Sequence, residues 1–186
     1  LRNICFVMQE ATLGTHMDYV YEMARTLRED QQLPLTLLLE KRSVGVRPSW
    51  VISQHFKFVP LRVIENVVLI ARERLRGTKL FYIHYSFLSA ITAGIVTKLF
   101  GGHVFYWNAG MPWQYKRPWY TDAYQRLAYR LIDTLVTGAE SLRAGYMNTY
   151  GLRSEQIQII PNWIDLSQVQ SDDKKTLLRS SLGLPE

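Results

Sequence analysis

Residues 79–108, KLFYIHYSFLSAITAGIVTKLFGGHVFYWN, decide the fold of this chain. The stretches KLFYIHY and GGHVFYWN are continuous apolar runs of strand length, and FLSAITAGIVTKLF between them has the length and composition of a helix. Continuous apolar strands are typical of parallel sheets, because helices cover both faces of such a sheet. The stretch therefore predicts a strand–helix–strand unit with two parallel strands.

The same alternation of strands and helices continues on both sides of this unit, about six times in all. It predicts a doubly wound, Rossmann-like α/β domain, with a mainly parallel sheet flanked by helices. The predicted strands lie at 3–8, 35–40, 79–85, 101–108, 133–138 and 155–161, with a short one at FKFV, 56–59, and the predicted helices lie at 16–29, 61–75, 87–100, 122–132 and 139–151.

The bulk composition limits the class of protein. The chain has 186 residues and is 47% hydrophobic, which suits one domain, or one domain with an appendage. Its one cysteine, Cys5, lies in an apolar run, which predicts a buried thiol and excludes a disulfide framework. No apolar run reaches the ~20 residues that span a bilayer, and the N-terminal residues lack a signal-peptide pattern. We therefore expect a cytoplasmic protein, or one that is peripheral on the inner face of the membrane.

The positive charge is concentrated in one segment. Residues 41–76 contain eight Lys or Arg and two Glu, so this segment carries the whole formal charge of the chain, +6. A localised basic surface attracts an anionic partner, such as lipid headgroups, a phosphate-bearing substrate or nucleic acid. The alternative is an ordinary solvated helix face.

The predicted helix 61–75 shows two patterns. Glu65 and Glu73 are eight positions apart, which separates them by ~80° around a helix and ~12 Å along it, too far for a tight carboxylate pair. We expect both to face solvent and to pair with nearby arginines. One face of the same helix carries an apolar stripe, formed by Leu61, Ile64, Val68, Ala71 and Leu75.

The loops at the carboxyl ends of the strands are where a doubly wound sheet binds its ligands. Gly14 lies where the first strand turns into the first helix, where free backbone N–H groups could bind a phosphate, although a glycine there also serves as a simple turn. His84 and Asn108 end adjacent strands, where catalytic groups would sit, although a strand-end histidine is often structural. No histidine pair with metal-ligand spacing is present in the sequence, so we expect no metal site.

The loop after Asn108 is rich in aromatic residues, with Trp113 next to the basic pair Lys116 and Arg117. Aromatic rings in such a loop suit sugar stacking or a membrane interface, because one side of each ring is apolar and the other meets water. The alternative is that these rings only cap the edge of the sheet.

Several motifs, in one order along the chain, resemble a known family. GTHMDYVYEMARTL, residues 14–27, is similar to the glycine-rich segment of the family-4 retaining glycosyltransferases, which have the GT-B fold. Residues 133–169 resemble the stretch that closes the N-terminal domain of those enzymes with a P-N-G-x-D motif, and DDKKTLLRSSLGLPE is similar to the lead into their second domain. The resemblance covers nearly the whole chain, and residues 133–169 are its most specific part.

The resemblance implies a domain organisation and an activity. Residues 1–166 would form the acceptor-binding N-terminal domain, and 167–186 would lead to a donor-binding domain absent from this chain, with Pro161 and Asn162 at the hinge. The whole enzyme would transfer a sugar from a nucleotide-diphosphate sugar to an acceptor hydroxyl with retention, and it would need no metal or other cofactor. Its acceptor would be a lipid-linked molecule or a polysaccharide, and this half alone would be inactive.

The resemblance also implies site residues. Gly14 and Thr15 would bind the donor phosphates, although Thr15 replaces a glycine of the family pattern. The catalytic residues are not assigned, and His84 and Asn108 are the candidates, with Asn108 standing where many members have histidine. The implied acceptor-binding residues are His16, Trp107, Asn108 and Trp113.

Other functions remain open. A nicotinamide-dependent enzyme is disfavoured because GxGxxG is missing, although Glu40 does end the second strand. A noncatalytic sugar- or nucleotide-binding Rossmann module would naturally lack the partner domain. A nucleic-acid binder is the least favoured, because the basic residues do not form a stripe on a groove-reading element.

Overall fold

The computed structural model describes residues 3–9, 18–41 and 48–161 of the chain. Within them, the strands form one sheet in the order β3-β2-β1-β4-β5-β6-β7, and every neighbouring pair is parallel. This confirms the predicted doubly wound sheet. The strands are β1 (Ile4–Met8), β2 (Leu35–Leu39), β3 (Val51–Ser53), β4 (Leu80–His84), β5 (His103–Trp107), β6 (Thr134–Thr137) and β7 (Ile157–Ile159).

Helices lie between these strands, and none of those in the described ranges is long and apolar enough to cross a membrane. The predicted strand at 56–59 is wrong, because the third strand lies earlier, at β3. Residue 59 already belongs to a helix, and Pro60 lies in the first turn of that helix, where its missing N–H has no partner to lose. The α-helices are α1 (Asp18–Arg25), α2 (Val59–Leu75), α3 (Phe87–Phe100), α4 (Trp119–Leu131) and α5 (Glu140–Tyr150).

The sheet has a separate apolar core on each face. Alternate residues of β1 point to opposite faces, so Cys5 and Val7 join one core while Phe6 and Met8 join the other. Helices α2 to α5 pack on the first face and α1 packs on the second. Cys5 is fully buried, as predicted, and its burial raises the pKa of the thiol above the ordinary value.

The apolar stripe of α2 points away from the sheet except at Ala71, which packs against the core. Ile64, Val68 and Leu75 are 60%, 56% and 78% exposed. An apolar stripe on a surface helix ordinarily packs on the core, so an exposed one marks a surface for a partner. The side of α2 that faces the sheet is instead formed by Asn66, Ile70 and Glu73.

The prediction that both glutamates of α2 face solvent is wrong. Glu73 is buried, although it does pair with a nearby arginine as predicted, by accepting a hydrogen bond of 2.9 Å from Arg76. Glu65 accepts hydrogen bonds from the backbone N–H groups of His55 and Phe56, at 2.9 and 3.2 Å, and so pairs with the segment before α2 instead of with an arginine. Burial opposes ionisation of Glu65, but these donors and the His55 ring hold its pKa below the ordinary value.

Helices α3 and α4 cross closely at Gly94. A Cβ atom on Gly94 would lie 2.7 Å from the Cβ of Leu131 and 2.9 Å from the carbonyl oxygen of Leu131. The second of these atoms belongs to the backbone, so a larger residue at position 94 would have to move the whole of α4.

We expect Gly94→Ala to lower the free energy of unfolding by about 1–3 kcal/mol, because the added methyl group overpacks this crossing. At an exposed helical position the same change raises stability by up to about 1 kcal/mol, so the sign of the effect is diagnostic. Urea unfolding followed by circular dichroism measures it. The control Asn148→Ala, at an exposed position of α5, should shift the free energy by less than about 0.5 kcal/mol. A Gly94→Ala variant as stable as the wild type would contradict the close crossing.

Candidate functional site

The carboxyl ends of β4 and β5 meet at the centre of the sheet. Their parallel pairing sets His84 beside Trp107, the last residues of the two strands. The two rings stack, with 4.5 Å between centroids and 18° between planes. Asn108 follows immediately, so the structure brings together three of the predicted site residues at one edge.

His84 is enclosed by aromatic rings. The Tyr19 hydroxyl, from α1, forms a hydrogen bond of 3.4 Å with His84 Nε2, and the Tyr85 ring meets the imidazole edge-on at 4.9 Å. Burial, with a smaller contribution from Tyr85, raises the pKa of Tyr19 to about 12. Tyr19 is therefore a neutral phenol at pH ~7, able both to donate and to accept a hydrogen bond.

Tyr19 and Tyr85 are site residues that the sequence did not predict. Tyr85 had a signal, since it directly follows His84 in a loop at the carboxyl edge. No sequence pattern connects Tyr19 with β4, because the contact depends on how α1 packs across the sheet.

Tyr85 adopts a left-handed backbone conformation, with φ of 59°. Its N–H donates to the carbonyl oxygen of Trp107 at 3.2 Å. Burial raises the pKa of the Tyr85 phenol, and the nearby backbone of Ala109 opposes that rise. This conformation costs about 1–2 kcal/mol for a residue with a Cβ atom, and such strain concentrates at functional sites. The turn after β4 is thus held to the turn after β5.

Asn108 turns its side chain into the protein. Its Nδ2 donates to the hydroxyls of Tyr129 and Tyr106, at 3.1 and 3.4 Å, and its Oδ1 accepts from the Gly110 N–H at 2.9 Å. Both ends of the amide are therefore bonded within a buried network. In this conformation the residue shapes the turn after β5, and its assignment to catalysis or acceptor binding stays a prediction.

Tyr146, from α5, supports the same turn. Its hydroxyl donates to the carbonyl oxygens of Gly110 and Asn108, at 2.8 and 3.1 Å, so one proton is shared between two acceptors. Behind it, the network continues through Tyr129 and Gln125 to Arg117, which also donates to Tyr150.

Trp113 lies partly inside the fold. Its ring meets Tyr146 edge-on at 5.1 Å, and it packs so tightly on Gly145 of α5 that a Cβ atom there would lie 2.1 Å from Trp113 Cζ2. Trp107 is also buried, whereas Trp119 is 81% exposed, and Tyr115 and Tyr120 are exposed beside it. The exposed rings of this region are therefore not the rings that were predicted to bind the acceptor.

Glu40 follows β2 at the same edge of the sheet. Its carboxylate accepts hydrogen bonds from the hydroxyls of Ser86, the N-cap of α3, and Ser89, in the first turn of that helix. Asn66 of α2 donates to Ser89 at 2.7 Å, so the network joins two helices to the end of a strand. Glu40 was the residue that kept a nicotinamide-dependent enzyme among the alternatives. In the structure its carboxylate is hydrogen-bonded to the start of α3.

Other predicted site residues lie outside the described residues: Gly14, Thr15, His16 and Asn162. Pro161 is described, and it is an exposed residue just after β7. Within the described ranges, no group of three or more His, Cys, Asp and Glu side chains is placed to hold a metal ion. The expectation that the protein needs no metal stays a prediction.

Comparisons with known proteins identify the fold. No protein-family model matches the chain, and no curated protein matches it. Among solved structures, Anabaena Alr3699/HepE in complex with UDP-glucose matches 97% of this chain with 50% of its own, at a TM-score of 0.64 and 15% identity. The apo lipopolysaccharide outer core galactosyltransferase WaaB matches 90% of this chain with 47% of its own, at a TM-score of 0.63 and 11% identity. This chain has the fold of one half of a GT-B enzyme.

The same fold also occurs in other enzymes of nucleotide sugars. The UDP-GlcNAc 2-epimerase from Methanocaldococcus jannaschii matches 86% of this chain with 45% of its own, at a TM-score of 0.58 and 11% identity. The chain spans about half the length of the solved structures that it matches. At these identities the likeness establishes the fold alone.

Buried tyrosines at the site predict sensitivity to alkali. Burial raises the pKa of Tyr19 and Tyr85 beside His84, and of Tyr106, Tyr129 and Tyr146 behind them. A pKa raised by folding contributes stability that is complete below the unfolded value of ~10 and is lost as pH rises through the folded value. We therefore expect the free energy of unfolding to fall between about pH 10 and pH 12. Urea midpoints and phenolate absorbance across this range measure it, and phenols that all ionise near pH ~10 in folded protein would contradict the expectation.

Proposed function

We propose that this chain is the N-terminal, acceptor-binding half of a glycosyltransferase that transfers a sugar from a nucleotide-diphosphate sugar to an acceptor hydroxyl, with retention. One observation carries the proposal: nearly the whole chain superposes on half of HepE, a structure that holds UDP-glucose. The motif order that resembles the family-4 enzymes supports it independently, because it places this half first in the chain. A noncatalytic binding module with the same fold is the alternative.

In this proposal the carboxyl ends of β4 and β5 form one wall of the active-site cleft. Tyr19 would contact the acceptor from that wall, and His84, which is fully buried, would hold the Tyr19 hydroxyl in place. Trp107, Asn108 and Trp113 would keep the shape of the wall through their buried contacts. Gly14 and Thr15, with His16 next to them, would lie against the donor phosphates and the acceptor. The second domain would supply most of the donor site and the charges that stabilise the leaving diphosphate.

The test is turnover by the full gene product. Incubated with UDP-sugars, it should release UDP only when an acceptor fraction is present, whereas the 186-residue chain alone should release none. An epimerase would instead convert the nucleotide sugar without an acceptor, and that outcome would replace the transferase proposal. Tight acceptor binding without any turnover would favour the noncatalytic module.

A variant of Tyr19 tests the proposed wall. We expect Tyr19→Phe, which keeps the ring and removes the hydroxyl beside His84, to lower kcat/KM about tenfold through loss of one hydrogen bond. The matched control is Tyr21→Phe on the same helix, whose ring stacks on Trp50, away from His84. Equal rates for both variants and the wild type would remove Tyr19 from the site.

The outer face of α2 suits an anionic membrane surface, which would bring a lipid-linked acceptor to the enzyme. This face consists of exposed apolar side chains, and the segment before it adds Phe56 and Phe58. The exposed charges of residues 56–76 are all basic, because Glu65 and Glu73 are both turned inward. Apolar residues with basic neighbours and no exposed carboxylate are typical of helices that lie in a membrane interface.

Vesicle sedimentation tests this surface. We expect the chain to bind vesicles that contain phosphatidylglycerol and to bind pure phosphatidylcholine weakly, because the basic residues need anionic headgroups. Ile64→Asp and Val68→Asp should each reduce binding at least about tenfold, since each removes an apolar side chain that would enter the interface. Leu127→Asp, at an exposed position of α4, is the control and should bind as the wild type does. Vesicle binding that is the same with and without anionic lipid, and the same in the wild type and the α2 variants, would contradict the proposal.

A further inference from the structure

A pocket opens at the carboxyl edge of the sheet, beside β2 and β3, and His84 is not part of its lining. Its volume is about 230 Å³. Two of its residues follow β2, two follow β3, and the last lies in the first turn of α2. The lining is formed by Glu40, Lys41, Phe56, Lys57 and Arg62.

The lining carries a strong positive charge. It has three cations and one carboxylate, a formal +2. That carboxylate, on Glu40, is bonded to the hydroxyls of Ser86 and Ser89 on the side of α3, so it is held toward the interior of the fold. Lys57 and Arg62 both line this small space, and an anion between them would relieve their mutual repulsion.

Arg62 provides an independent observation. Its Nε atom is buried and has no hydrogen-bond partner among the residues that the structure describes. Buried donors in proteins nearly always have an acceptor, because an unpaired one loses its bonds to water without replacement. The first turn of α2 contains no acidic residue, so the positive end of the helix adds to the field at Arg62.

An apolar surface begins at the same pocket. Phe56 forms one wall and is exposed, and Phe58 and Val59 continue the exposed apolar surface into α2. A ligand with an anionic group and an apolar part could therefore bind both at once.

We propose that this pocket binds a phosphoryl group of the acceptor. Three cationic side chains match the oxygens of a phosphoryl group, which accept charge-assisted hydrogen bonds. The assignment to the acceptor rests on the proposed transferase function, whereas phosphoryl binding by the pocket does not. The lining shares no residue with the donor-phosphate site that the resemblance implies at Gly14 and Thr15.

Calorimetric titration of the 186-residue chain with inorganic phosphate and with hexyl phosphate tests the pocket. We expect both probes to bind. Hexyl phosphate that binds about tenfold tighter would identify a lipid phosphate, because its chain would pack on Phe56 and Phe58. Equal affinities would identify a soluble phosphorylated acceptor. Failure of both probes to bind would overturn the site.

Variants locate the binding. Arg62→Gln and Lys57→Gln should each weaken phosphate binding at least about tenfold, through loss of a charge-assisted hydrogen bond. Lys57 is exposed, so its variant keeps the test valid even if Arg62→Gln fails to fold. Arg72→Gln removes the same charge from an exposed position of α2 outside the lining, and should change affinity less than about twofold. Equal losses in all three variants would mean general surface attraction and would overturn the site.

The titration contains no donor sugar, so its result does not depend on whether the protein transfers a sugar. Absent phosphate binding with intact sugar transfer would remove only the pocket. Intact phosphate binding in a protein that transfers no sugar would keep the pocket and remove the transferase.

Discussion

The turn after β5 depends on hydrogen bonds that are buried away from solvent. The Tyr146 hydroxyl donates to two carbonyl oxygens of this turn, those of Asn108 and Gly110. The Asn108 side-chain amide donates to the Tyr129 hydroxyl and accepts from the Gly110 N–H. Because buried bonds of this kind are costly to break, the turn keeps one conformation. The position of Trp107 follows from it, and so does that of the His84 ring stacked on Trp107. A rigid wall of this kind is what an active site needs to hold an acceptor in one orientation.

The carboxyl edge of the sheet carries two different chemistries. Its centre, at β4 and β5, is aromatic, whereas its β2–β3 end is cationic and leads onto the apolar outer face of α2. Strands in a sheet lie ~4.8 Å apart and β1 separates β2 from β4, so the cationic pocket lies about 10–15 Å from the centre. That spacing suits a substrate anchored by a phosphoryl group at one end and reacting at the other.

The sequence was enough to predict the fold, because continuous apolar runs separated by helical segments leave few arrangements other than a covered parallel sheet. It also predicted that His84, Trp107 and Asn108 share an edge, since parallel strands end together. The sequence did not predict which way a helix face or a side chain points. Periodicity showed that Ile64 and Val68 share a face of α2 but not that this face points outward, and residue type did not show that the Asn108 amide turns inward. Tyr19 reaches His84 through the packing of α1, which no local pattern encodes.

The central proposal is that this chain forms one wall of a cleft, and that the other wall would belong to a second domain of the same protein. The intact mass of the native gene product tests it most directly. The account predicts a mass about twice the 21.7 kDa of this chain, because the chain covers 47–50% of the WaaB and HepE structures that it matches. A native product near 21.7 kDa would lack a donor domain and would contradict the account.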